Sequence, residues 1–214
     1  MQTIDLQTMA YREAWAVQER VWEEVAGGAG ERLLLVEHPP VITLGRRGGC
    51  DRHLLAEPEE LERRGVEVVP SDRGGDITFH GPGQLVAYPI IRLIDHRLSI
   101  GGYVKALQTA AIATLGRFGV AGQLDPSAVG VWARLVGGEL AKICAIGVRV
   151  KRGITLHGLA LNVETDLDYF RLIVPCGLAG RGVTSMREIL GDRAPSMRRV
   201  KDALREELGK LLGA

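Results

Sequence analysis

Between Ala128 and Val163 the chain reads as consecutive strands joined by tight turns, and this block constrains the fold more than any other part of the sequence. Ala128 to Val136 is the first run, and Gly137-Gly138-Glu139 turns it into Leu140 to Val150. Lys151-Arg152-Gly153 turns again into Ile154 to Val163. Runs joined this tightly must pair antiparallel, because a parallel return needs a crossover of roughly a dozen residues. The rest of the chain interleaves helices with further strands. Tyr11, Ala14, Trp15, Val21, Trp22 and Val25 recur at helical steps, with Gly27-Gly28 as the stop. Pro58 to Arg64 is a short helix. Ser99 caps a longer one whose inner face is Tyr103, Leu107, Ala110, Ala111, Thr114 and Phe118. Ser185 and Glu188 have capping-box spacing, and Ser196 caps a last helix with Met197, Val200, Leu204, Leu208 and Leu211 inward. Leu33 to Val36, Val41 to Leu44, Gly65 to Pro70 and Leu85 to Tyr88 read as strands. With no steady β-α-β rhythm, the expectation is an α+β fold of mixed and antiparallel sheets flanked by helices, in one domain over 1–214.

Composition removes several function classes. Hydrophobic residues are 46% and charged residues 25%, which excludes a mainly disordered chain. The formal charge is +1, too small a surplus for binding driven by phosphate neutralisation, so nucleic acid is not an expected partner. No apolar run approaches the roughly 20 residues that cross a bilayer, so no membrane association is expected. The N-terminal residues lack the pattern of a secretory leader. Cys50, Cys144 and Cys176 are odd in number and widely spaced, and the five histidines are scattered. Neither pattern suggests a disulfide framework or a metal site, and a reducing, cytoplasmic compartment is the expectation.

The most unusual stretch is Arg73-Gly74-Gly75-Asp76-Ile77-Thr78-Phe79-His80-Gly81-Pro82-Gly83-Gln84. It matches neither the phosphate loop ending in Gly-Lys-Ser/Thr nor the dinucleotide fingerprint. Gly74-Gly75 lets backbone amides approach a ligand, and His80 and Gln84 are candidate donors to a carbonyl. Taken alone, the stretch reads equally well as a turn before a strand.

A nucleophilic thiol needs thiolate character. Cys50 precedes Asp51, whose charge opposes it, and Cys144 sits in apolar Ile143 to Ile146, where thiols are usually inert. Cys176 stands where an apolar run stops at Pro175, beside Gly177, at the kind of element end where function is often built. Lys142 opens an otherwise apolar strand. Desolvation there lowers a lysine pKa and suits it to acid–base work, unless the head simply snorkels to water. Strand alternation puts Lys142 and Cys144 on one face, about 6–7 Å apart, so Cys144 is a rival nucleophile. Gly147 and Gly158, on neighbouring strands beside His157, mark either a slot for an acyl chain or bulges.

Together these blocks resemble the lipoyl(octanoyl) transferase family. The resemblance rests on Arg73 to Pro89, then Gly130-Val131-Trp132 with Lys142 to Arg149, then His157 to Asn162, then Pro175-Cys176-Gly177-Leu178 with Val183 to Met186. It implies a fold like the catalytic modules of lipoate and biotin protein ligases. It also implies transfer of octanoyl from acyl carrier protein to a lysine of lipoyl domains, those of 2-oxoacid dehydrogenases and the glycine cleavage H protein, with no cofactor. The family's nucleophile falls on Cys176 and its partner lysine on Lys142. Its acyl-binding segments fall on Arg73, Gly74, Gly75, Asp76, Ile77, Thr78, Phe79 and His80; on Ala145, Ile146 and Gly147; and on Gly158, Leu159 and Ala160. Cys144 departs from the small residue expected there. An ATP-dependent ligase of lipoate or biotin type, which needs no cysteine, and a non-catalytic acyl or lipoyl-domain binder are the alternatives.

Overall fold

The computed structural model describes residues 1–174 and 182–212. In chain order the elements are β1 (Gln2–Thr8), α1 (Tyr11–Ala26), β2 (Arg32–Glu37), β3 (Val41–Leu44), α2 (Pro58–Arg63), β4 (Glu67–Pro70), β5 (Thr78–His80) and β6 (Gln84–Ile90). They continue with α3 (Ile100–Gly116), β7 (Gly122–Asp125), β8 (Ala128–Arg134), β9 (Leu140–Lys151), β10 (Ile154–Asn162), α4 (Met186–Leu190) and α5 (Met197–Leu212).

The strand block forms an antiparallel meander of β8, β9 and β10. It is the heart of a seven-stranded sheet in the order β1-β2-β6-β10-β9-β8-β7, in which only β1 and β2 run parallel. Alternation sorts its side chains between two cores. Leu33, Leu35, Leu85, Ala87 and Leu161 pack under α3 and α5, against Tyr103, Leu107, Leu204 and Leu208. Leu34, Val36, Val86, Tyr88 and Leu156 face α1, against Ala14, Val21, Trp22 and Val25. The Ser99 side chain accepts from Gly102 N, capping α3 as its spacing predicts. Ser185 Oγ likewise accepts from Glu188 N, but the Glu188 carboxylate takes its bond from Thr184 Oγ1 (2.6 Å).

A second, three-stranded sheet has the order β4-β3-β5. Its core joins Ile42, Ile77 and Phe79 to Leu61, Phe170 and Leu172, with the Phe79 ring stacked on Tyr169 at 4.8 Å. The chain therefore forms the expected α+β arrangement of mixed sheets and flanking helices. Among the described residues no helix is long and apolar enough to cross a membrane.

One expectation about β9 fails. Val131 lies opposite Cys144, but its neighbour Trp132 lies opposite Lys142, so Ile143 is an extra residue on β9. Such a bulge breaks the two-residue alternation. Ile143 and Cys144 both turn into the core under α3 and α5, while Lys142 emerges on the other face. Gly130 makes room for the bulge. Its φ is +136°, and a Cβ there would stand 2.6 Å from the Cys144 carbonyl oxygen.

Candidate active site

On the α1 face of the large sheet lies a cavity of about 330 Å³, within the range of small-molecule sites. Strands β6, β9 and β10 form one wall and the glycine-rich segment the other. Exposed Arg47, Gly75, Ser127 and Val129 ring its mouth, and buried Tyr11, His80, Val86, Tyr88 and Ala160 close its inner end.

The glycine-rich segment contributes Arg73, Gly75, Asp76, Ile77, Thr78 and His80 to the lining. Gly74 instead ties the segment to β9, its N–H donating to Val148 O at 2.9 Å. The close approach depends on Gly147, where a Cβ would stand 2.8 Å from Gly74 O. Phe79 points into the core of the small sheet. Gln84, expected to face a ligand carbonyl, is spent inside the protein. Its amide donates to Phe79 O (3.2 Å) and Asn162 Oδ1 (2.9 Å), and its oxygen accepts from His80 Nδ1 (2.7 Å). Arg73 is buried and clamps the segment to β3, donating from Nη2 to Thr43 O (2.6 Å) and from Nε to Thr43 Oγ1 (3.0 Å). Ala145, Ile146, Gly147, Gly158, Leu159 and Ala160 all line the cavity.

Lys142 lines the same cavity and is 7% exposed. Its Nζ lies 4.9 Å from the centre of the Trp132 ring. Its backbone N–H donates to Gly182 O (2.9 Å), and its carbonyl accepts from Thr184 N (3.0 Å). Cys176 lies outside the described residues. The chain before that segment is tied down where Val174 N donates to His53 O at 2.7 Å.

The inner end is polar in composition, and the charge of Arg73 acts on its hydroxyls and imidazoles. Tyr11 and Ser71 share a hydroxyl hydrogen bond of 2.8 Å, and the Tyr11 ring stacks on His80 at 5.9 Å. His38 Nδ1–H donates to Met9 O (2.7 Å), leaving Nε2 to accept from Tyr88 OH (2.8 Å). His157, at φ +58°, donates from Nε2 to Asp72 Oδ1 (2.7 Å), and Asp72 also pairs with Arg149. Burial lowers the His38 pKa to about 4. Burial, then the charges of Arg73 and Arg149, lower that of His157 to about 3. Burial, then nearby His38 and Arg73, hold His80 well below its ordinary value. All three imidazoles are neutral at pH 7, so none of them adds a charge to this end of the cavity.

The two other cysteines are buried. Burial pushes the Cys144 thiol up to about 12. Cys50 Sγ donates to Gly45 O at 3.2 Å.

Comparison with known proteins agrees with this geometry. Residues 10–209 match the family model of the lipoyl protein ligase A/B catalytic domain. An octanoyltransferase of Chloroflexus aggregans is 50% identical over 196 residues, 91% of this chain and 86% of its own length. The chain belongs to the octanoyltransferase family. Among solved structures, a bipartite lipoate protein ligase of Thermoplasma acidophilum, studied with its E2 lipoyl domain, aligns with a TM-score of 0.79 at 18% identity. That alignment covers 99% of this chain and 83% of the other. A biotin protein ligase of Aquifex aeolicus aligns with a TM-score of 0.59 at 13% identity, over 99% and 70% of the two chains. At such identities these two likenesses speak to the fold alone.

For a member of the octanoyltransferase family, sequence reasoning missed Tyr11, Asp72 and Tyr88. Tyr11 and Tyr88 read simply as inward positions of a helix and a strand. The available signal was their hydroxyls, since a buried Tyr normally needs a partner for its O–H.

Proposed function

We propose that this enzyme moves an octanoyl group from acyl carrier protein to a lysine of a lipoyl domain, through a thioester on Cys176. The chain 1–214 acts as one catalytic unit, in the cytoplasm. The donor thioester is already activated, so no ATP is consumed. Cys176 thiolate attacks the acyl carbon and the carrier thiol leaves. The acceptor amine then attacks the acyl-enzyme and forms the more stable amide. Lys142 takes the thiol proton, returns a proton to the leaving carrier thiol, and accepts one from the incoming amine.

The observation that carries this reading is the position of Lys142. It is the buried lysine on the cavity wall, and its backbone pairs with Gly182 and Thr184, the chain that follows the Cys176 segment. The acyl chain lies along Ala145 to Gly147 and Gly158 to Ala160, with its tail toward Tyr11 and Tyr88. Intact-mass measurement after mixing with octanoyl carrier protein, without ATP, tests it. The expected result is one octanoyl group per chain, mapped to Cys176 and lost on adding a lipoyl domain. Acylation that requires ATP, or binding with no adduct, overturns the reading.

A further inference from the structure

Asp76 is the one carboxylate among the described residues lining the cavity, and Arg47, Arg73 and Lys142 line it too. Its side chain is 2% exposed. Oδ1 is fully engaged, accepting from Ile77 N (2.7 Å) and His53 Nδ1 (2.8 Å). Oδ2 is buried and has no hydrogen-bond partner. Its ion pair is with Arg47 Nη1 at 3.7 Å, beyond hydrogen-bond reach, and the Arg47 side chain is 67% exposed at the mouth. Oδ2 is therefore the carboxylate oxygen on the side of Arg47, at the cavity mouth. The nearby carboxylate of Asp72 is taken by His157 and Arg149. A buried carboxylate oxygen with no donor is costly, and such groups call for a functional account.

The two halves of the reaction proposed above place opposite demands on this lining, and the inference rests on that reading. Forming the acyl-enzyme involves a thiolate and a neutral thioester, both compatible with cations. The second step brings a lysine side chain, an ammonium at neutral pH, into a cavity lined by the guanidinium groups of Arg47 and Arg73, with Lys142 neutral once it has returned its proton to the carrier thiol. We propose that Asp76 Oδ2 receives this ammonium and holds the acceptor nitrogen at the thioester. The ammonium gives one proton to Lys142, and the freed lone pair forms the C–N bond. The C–S bond breaks, and a second proton from the nitrogen passes to the leaving Cys176 sulfur. Asp76 holds a remaining N–H throughout and is not consumed.

The test uses the intact enzyme loaded with octanoyl from a small thioester, in wild type and Asp76→Asn. Asn keeps the shape and can still accept from Ile77 N. Discharge to a lipoyl domain should slow roughly 10–100-fold, the scale of one charge-assisted hydrogen bond, mainly as a higher half-saturating domain concentration. Discharge to hydroxylamine, a nucleophile that is uncharged at neutral pH, should be affected at least about ten-fold less. Asp76→Glu should recover part of the loss with the domain. Equal losses with both nucleophiles, or no loss with the domain, overturn the role of Asp76. A wild-type enzyme that never loads overturns the acyl-enzyme reading itself, and this inference with it.

Discussion

Cys144 and Lys142 are two positions apart in sequence, and opposite results are expected on truncating them. With its thiol pushed up to about 12 by burial, Cys144 holds almost no thiolate at neutral pH. Cys144→Ala should keep most of the turnover and lose about 1 kcal/mol of stability. Labelled octanoate mapping to Cys144 in the wild type would reassign the nucleophile. Lys142→Ala should fold yet slow transfer roughly 10²–10⁴-fold, the usual loss on removing a general acid–base. Full activity in that variant would make Lys142 a merely structural cavity residue. Three buried histidines contribute to the pH dependence of folding below neutrality. His38, His80 and His157 have pKa values lowered in the fold, whereas an unfolded histidine titrates near 6.5. Below that pH the unfolded chain binds protons that the fold refuses. The stability they contribute is thus complete above about 6.5 and is lost toward about 4 for His38 and about 3 for His157. Each costs up to about 1.4 kcal/mol per pH unit within its window. Urea midpoints at pH 7.5 and 5.5 check this, and a midpoint that does not fall between them refutes it.

At the scale of elements, the β8–β9 bulge decides which side chains reach the cavity. Gly130→Ala puts a methyl where only 2.6 Å separates it from Cys144 O, at a φ that L-residues rarely adopt. A loss of about 1–3 kcal/mol is expected, with a fall in activity as the strands part beside Lys142. Gly116→Ala is the control, because at the exposed end of α3 its Cβ meets nothing within 4 Å. Equal denaturation midpoints for the two variants would show that the bulge tolerates a side chain. The bulge also marks where the sequence stops being legible. Alternation finds the strand but cannot count an extra residue that only the partner strand reveals, so it put Lys142 and Cys144 on one face. β1 and β7 went unread for a related reason. Both are edge strands without a single fully buried residue, and their one or two apolar positions are too few to give the pattern that exposed the meander. Gln84 was legible as polar and unusual, but its partners Phe79 and Asn162 come together only in the folded chain.

At the scale of the whole molecule, a net charge of +1 gives little long-range field, so electrostatic recruitment of the acyl carrier protein proposed as donor, taken to be acidic, must depend on local charge. Arg46 and Arg47, in a glycine-flanked loop, and Arg149, Lys151 and Arg152, around the β9–β10 turn, are candidate docking charges, and the fold separates them. Lys151 and Arg152 lie at the far end of the β9–β10 hairpin, nine residues and roughly 30 Å along the strand from Lys142. Lys151 Nζ sits over the Trp22 ring at 4.4 Å, and Arg149 is paired with Asp72. Arg46 and Arg47 follow β3 beside the cavity mouth, held by backbone bonds from Arg46 N to Arg73 O (3.0 Å) and Arg47 N to Gly75 O (3.1 Å). Of this pair, Arg46 is exposed and does not line the cavity. Arg46→Glu should raise KM for octanoyl carrier protein several-fold, and the salt dependence of that KM should weaken, because the steering charge has been reversed. Lys151→Glu, at the distant turn, should change neither. Transfer from a small octanoyl thioester without the carrier should proceed as in the wild type. Equal losses with carrier-bound and small donors would point to a disturbed cavity wall, since Arg46 N is bonded to the same Arg73 that clamps the glycine-rich segment.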